Sequence, residues 1–158
     1  MYKIFLATTV LAFSLCACEN RTEVIYTVLM VPPENAEPGD DVNFKNTIND
    51  HVFFSLNSST LSEDAKRILD EQVSWLNRNS NTVVIIEGHA DERGNSKYNL
   101  QLSERRAEAV KNYLIAKGLL KTRIRAASFG KEHPEFVGHN EDTWSKNRAA
   151  VTIVHRAN

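Results

Sequence analysis

The stretch Val83-Val84-Ile85-Ile86-Glu87-Gly88-His89-Ala90-Asp91-Glu92-Arg93-Gly94, continuing through Tyr98-Asn99 and Leu102 to Glu104-Arg105-Arg106-Ala107, decides the fold. A continuous apolar run of β-branched residues reads as a buried strand, and its length places Thr82–Glu87 in it, covered on both faces. The alanine-containing pattern after Leu102 reads as a helix to about Lys117, with Ala109, Val110, Tyr113 and Leu114 inward and Gly118 as its stop. Charged groups therefore collect in a loop between two rigid elements, bracketed by Gly88 and Gly94, where binding groups are well held.

The same alternation of strand and helix extends in both directions. Asp50–Ser55 has strand character, and Leu56–Ser59 reads as a loop. Ser62 is suited to cap a helix over Glu63–Asn79, with Thr60 and Glu63 as the capping-box alternative. Its apolar stripe runs through Ala65, Ile68, Leu69, Val73 and Leu76, and Trp75 packs at the stripe's edge. Ile124–Phe129 and Ala149–Val154 supply two more strands, separated by a long loop from Gly130 to Thr143 and a helical turn near Thr143–Lys146. The order β-α-β-α-β-loop-β predicts an α+β, two-layer domain with helices on one side of a four-stranded mixed sheet.

Length and composition fit one globular domain: 158 residues, 42% hydrophobic and 25% charged. The net charge of −1 argues against a nucleic-acid partner. Charge is unevenly spread, about −5 from Glu19 to Asp50 and about +3 from His51 onward. Met1–Ala17 has a single base, Lys3, followed by an apolar run too short for a membrane span, which needs about 20 residues, and so reads as a signal segment. Residues 18–45 carry Pro32-Pro33, Pro38-Gly39 and several acids, the composition of a tether, with one apolar patch at Val24–Val31. The domain proper is expected over 46–158. The two cysteines, Cys16 and Cys18, both precede it, so thiol catalysis and cysteine-based metal sites are not expected.

Within the opening stretch, Arg106 falls on the sheet-facing side of its helix, while Glu92 and Arg105 face solvent. A guanidinium that starts in the core needs a carboxylate, since an unpaired buried charge is strongly unfavourable. Asp91 is one candidate and a ligand is another. An acid and a base facing one small loop suit a zwitterion: carboxylate to guanidinium, ammonium to aspartate. An internal Asp91–Arg106 salt bridge explains the same residues without any ligand. His89, Asp91 and either His133 or His139 imitate a two-histidine, one-carboxylate iron site, but the oxygenases that use it need more strands than this chain has. His89 reads better as a loop-stabilising residue, and His133 and His139 as loop surface. No spaced carboxylate pair or activated nucleophile is evident, so no enzyme, cofactor or metal is expected.

Gly88-His-Ala-Asp-Glu-Arg-Gly94, Tyr98-Asn99, Glu104-Arg-Arg-Ala107, Ser128-Phe-Gly-Lys-Glu-His-Pro134, Gly138-His139 and Ser145-Lys-Asn-Arg148 together resemble the peptidoglycan-associated lipoproteins of the OmpA-like family, over about Val52 to Val154. Leu15-Cys16-Ala17-Cys18 resembles a lipobox, which implies lipidation at Cys18, and Glu19 rather than aspartate favours the outer membrane. The resemblance implies non-covalent binding of the diaminopimelate residue of the peptidoglycan stem peptide. Asp91 and Arg106 would clamp it, and Arg93 and Leu102 would line the pocket. It further implies the Tol–Pal system, with a TolB-like periplasmic protein as partner; an adaptor that binds such proteins without touching cell wall is the alternative. The loop after the first strand departs from the family, reading Leu56-Asn57-Ser58 where an acid and a base are typical. Asn57 still offers a donor and an acceptor there.

Overall fold

The computed structural model describes residues 36–37 and 41–157. The signal segment, Cys18 and the Val24–Val31 patch lie outside the described residues. The elements are β1 (Ala36–Glu37), α1 (Asp41–Thr47), β2 (His51–Phe53), α2 (Glu63–Arg78), β3 (Thr82–His89), α3 (Ser96–Ala116), β4 (Ile124–Gly130), α4 (Glu141–Asn147) and β5 (Ala149–Ala157). Four strands form the expected mixed sheet: β3 is parallel to β4 and antiparallel to β5, and β5 pairs antiparallel with β2. The two-residue β1 extends it by pairing with the far end of β5, Ala36 opposite Ala157.

Local chemistry accounts for the helix boundaries. Ser62 caps α2 by accepting from the Ala65 amide, so the Thr60 alternative is not used. Asn95 caps α3 in the same way through Tyr98 N at 2.8 Å, directly after Gly94 at φ +84°. This start lies six residues before the expected Leu102, so Tyr98 and Asn99 are helical and not part of the loop. At the other end Gly118 takes φ +100°, and Leu119 N reaches back to the Leu114 carbonyl at 3.0 Å, closing the helix. The 3₁₀ turn Lys121–Arg123 then feeds β4. Its Arg123 guanidinium donates to the carbonyls of Leu76, Asn79 and Thr82, satisfying the end of α2.

The core lies between the sheet and helices α2 and α3. Val84 and Ile86 of β3 meet Leu69, Val73 and Leu76 of α2 and Ala107, Val110 and Leu114 of α3. On the opposite face of β3 only Ile85 is buried; Val83, Glu87 and His89 are half-buried. The expectation of a strand buried on both faces is therefore corrected: the helices cover one side. Residues 41–45, expected within the tether, belong to α1, and its Phe44 is fully buried edge-on to Trp75 at 5.1 Å. Two apolar residues two positions apart, Val42 and Phe44, in a polar stretch give no helical period, and the burial of Phe44 against Trp75 ties α1 to the core.

One close approach positions everything that follows. At Gly88 the backbone of α3 lies so near β3 that an added Cβ would stand 1.9 Å from the Ser103 carbonyl oxygen. Ser103 is also bonded to Ser128 Oγ of β4 and accepts from Gly130 N at 3.0 Å. The sheet-facing row of α3 is thereby locked to the ends of β3 and β4.

Candidate functional site

That row carries Asn99, Leu102, Ser103 and Arg106, all buried and spaced to share one helical face. Opposite them, β3 ends at His89 and runs into Ala90-Asp91, and the loop after β2 closes the third side. The result is a cleft of about 380 Å³ lined by Leu56, Asn57, Ala90, Asp91, Arg93, Gly94, Tyr98, Asn99, Leu102, Arg106 and Arg148. Every binding residue expected from the sequence lines it. Leu56 and Tyr98 leave apolar surface at its mouth, each about half exposed.

Arg106 forms the floor at 0% exposure. Its Nε donates to Ser58 O at 2.9 Å, Nη1 to His89 O at 2.8 Å and Nη2 to Ser55 O at 3.3 Å, and the guanidinium stands 5.3 Å from the Phe54 ring. A guanidinium has five N–H groups, so one on each Nη remains for another acceptor. Burial pulls its pKa down to about 10, opposed by the nearby Asp91 charge, and it stays a cation at neutral pH. Among the described residues no carboxylate bonds to it.

The internal Asp91–Arg106 salt bridge is therefore not formed, because Asp91 is taken by two other arginines. Arg93 donates to Oδ1 through its backbone N at 3.2 Å and Nε at 3.3 Å, and to Oδ2 through Nη2 at 2.7 Å. Arg148 Nη1 adds a fourth bond to Oδ2 at 3.2 Å. Burial alone would raise the Asp91 carboxyl; the hydrogen bonds from Arg93 and Arg148 outweigh it and hold the group below the usual carboxylate range. Glu141 of α4 closes a ring, meeting Arg148 Nη2 at 2.7 Å and Arg93 Nη1 at 3.4 Å.

Helix α4 braces the loop in other ways. The Trp144 ring lies 4.2 Å from the Arg93 guanidinium, and its Nε1 donates to Glu92 at 2.8 Å. Glu92 is exposed as expected, yet it is bonded to His139 as well, and these two partners lower its pKa. Asn99 Nδ2 fixes the loop from the other side by donating to Arg93 O at 2.7 Å. Asn57 sits at the exposed rim with φ 53°, the left-handed conformation that asparagine tolerates better than most residues. What its loop contributes to the floor is two backbone carbonyls, Ser55 and Ser58, not side chains.

His89 stacks on Phe129 at 5.3 Å, and its buried Nδ1 has no partner among the described residues; burial lowers its pKa. His133 and His139 are exposed loop residues. Among the described residues no three histidine, cysteine or acidic side chains are placed to hold a metal ion. Reading the sequence for sites missed Arg148, Glu141 and Trp144. The motif Ser145-Lys-Asn-Arg148 marked the region, but no spacing connects it to Asp91, 57 residues earlier.

The domain that carries this cleft has known relatives. The family model described as "OmpA family" matches residues 53–148. The chain belongs to the OmpA family. The chain is 42% identical over 122 residues to the "Peptidoglycan-associated lipoprotein" of Mesorhizobium japonicum, covering 77% of this chain and 73% of that protein. The similarly named protein of Agrobacterium fabrum is 36% identical over 147 residues, covering 91% and 83%. Among solved OmpA-like structures, the peptidoglycan-associated lipoprotein from Burkholderia pseudomallei superposes with a TM-score of 0.65 at 34% identity, over 67% of this chain and 90% of that one. The C-terminal domain of Helicobacter pylori MotB shares the fold, with a TM-score of 0.63 at 18% identity.

Proposed function

We propose that this chain is an outer-membrane lipoprotein, anchored through Cys18, whose OmpA-like domain binds the diaminopimelate-containing stem peptide of peptidoglycan non-covalently. In that role it ties the membrane to the cell wall as part of a Tol–Pal system serving envelope integrity and cell division, with a TolB-like periplasmic partner. The observation that carries the reading is Arg106: a buried cation at the floor of an open cleft, whose partners among the described residues are neutral carbonyls and leave two of its N–H groups over. Burying a charge this way is expensive unless an anion completes it. The free end of diaminopimelate brings a carboxylate for Arg106 and an ammonium for Asp91, with Leu102 and Arg93 as walls and Asn57 at the rim. The relatives named for association with peptidoglycan support the same ligand.

The test is co-sedimentation of the detergent-solubilised full chain with purified diaminopimelate-type sacculi. Wild-type protein sediments with the sacculi and free diaminopimelate releases it. Asp91→Ala and Arg106→Lys each abolish sedimentation while unfolding stays cooperative. Wild-type-like sedimentation of either variant overturns the clamp.

A further inference from the structure

The place for an ammonium on Asp91 is already filled by the chain's own arginines. A carboxylate presents about four lone-pair positions, and Asp91 accepts four N–H groups, three from Arg93 and one from Arg148. A ligand cation can therefore reach Asp91 only by displacing one of the two arginines. Arg148 is poorly suited to leave: its side chain is 8% exposed and also bonds Phe54 O and Glu141. Arg93 is 34% exposed and has somewhere to go. Its Nη1 already lies 3.4 Å from Glu141 Oε2, and the face of Trp144 lies against it at 4.2 Å.

We infer that Arg93 is a displaceable latch and a specificity-determining residue: its guanidinium stands in for the ligand's ammonium on Asp91, and moves onto Glu141 and Trp144 when an ammonium enters. The exchange is cation for cation, so the buried carboxylate is never left unpaired, which would cost far more than the swap. A ligand that brings only a carboxylate cannot make the exchange and finds Arg93 still in place. The latch thus selects a zwitterion over a simple diacid. This rests on the ammonium-to-Asp91 half of the function proposed above.

Two substitutions have opposite expected signs. Arg93→Ala removes the competitor, and the full chain binds free meso-diaminopimelate about three- to fivefold more tightly, the range set by one partly exposed ion pair. Glu141→Gln removes the place to which Arg93 retreats and weakens the same binding by a similar factor. Pimelate, which has the two carboxylates and no ammonium, gains nothing from Arg93→Ala. A readout independent of diaminopimelate is the ¹³Cγ resonance of Asp91 during titration with ethylammonium chloride against sodium chloride at equal ionic strength. It moves at lower ethylammonium concentration in Arg93→Ala than in wild type. If both proteins fail to bind diaminopimelate but split in the ethylammonium titration, the latch stands and the stem-peptide reading falls. Equal ethylammonium responses, or weaker diaminopimelate binding by Arg93→Ala, overturn the latch.

Discussion

Replacing Gly88 by alanine tests the packing that holds the cleft together. The added methyl would lie 1.9 Å from the Ser103 carbonyl oxygen and 2.7 Å from its carbon, both backbone atoms of α3 that no rotamer change can move. To reach a tolerable 3.0 Å, helix and strand must separate locally by about 1.1 Å. Ser103 also bonds Ser128 and Gly130, so the shift strains the contact with β4 as well. Overpacking of a close-packed core costs roughly 1–3 kcal/mol, and obstruction by rigid backbone puts this case at the upper end, about 3 kcal/mol. For a domain of this size that lowers the thermal midpoint by roughly 10–20 °C. Arg106 lies one turn beyond Ser103 and is carried with it, whereas a binding constellation tolerates about 0.5 Å. Calorimetry of the full chain and sacculus sedimentation should therefore both show loss, with binding impaired even at temperatures where the variant is folded. A midpoint within about 2 °C of wild type would refute the reasoning from close approach.

Three further outcomes follow from the same geometry. Arg106→Met keeps the volume but leaves the Ser58 and His89 carbonyls without their guanidinium; partial relief from burying a charge leaves a net loss of about 2–4 kcal/mol by urea unfolding, and an unchanged midpoint would mean those bonds contribute nothing. His51 is raised to about 9, chiefly by its bond to Asp50 against the opposing effect of burial, with Glu135 adding to it. A raised folded-state pKa stabilises fully below the unfolded value near 6.5 and loses that contribution as pH rises through about 9, so wild type should lose more stability across this window than His51→Gln; parallel pH curves would exclude it. Metabolic palmitate labelling of the full chain should vanish in Cys18→Ser, and retained label would place the anchor elsewhere.

The helical and strand cores were readable because their signals are local and periodic. In α2 the Ser62 cap and the stripe through Ala65, Leu69, Val73 and Leu76 agree, and no tertiary contact is needed to choose between alternatives. The gathering of Asp91, Arg93, Leu102 and Arg106 in one cleft was readable for a related reason: a strand end and the following helix must stay close. Who pairs with whom was not readable. Asp91 is claimed by Arg148 at the opposite end of the domain sequence and by Arg93 two residues away, and a choice among three arginines is settled only in three dimensions. The early start of α3 escaped because Ser96, Tyr98 and Asn99 have modest helix propensity, and the asparagine cap at Asn95 decides the matter. The short α1 escaped because its hold on the core runs through the tertiary contact of Phe44, which leaves no local period in the sequence.

The two carbonyls that the loop after β2 lends to Arg106 bear on how this chain can diverge. A carbonyl oxygen is common to all residues, so the contact records the path of the backbone and nothing of the letters spelled along it. Leu56-Asn57-Ser58 can depart from an acid-and-base pair without removing a single bond to the floor of the cleft. The restraint falls instead on the shape of the turn, above all on the left-handed conformation at Asn57. Drift in this loop should therefore run freely among residues that accept that conformation, glycine and aspartate included, and stop at β-branched ones, whatever their charge.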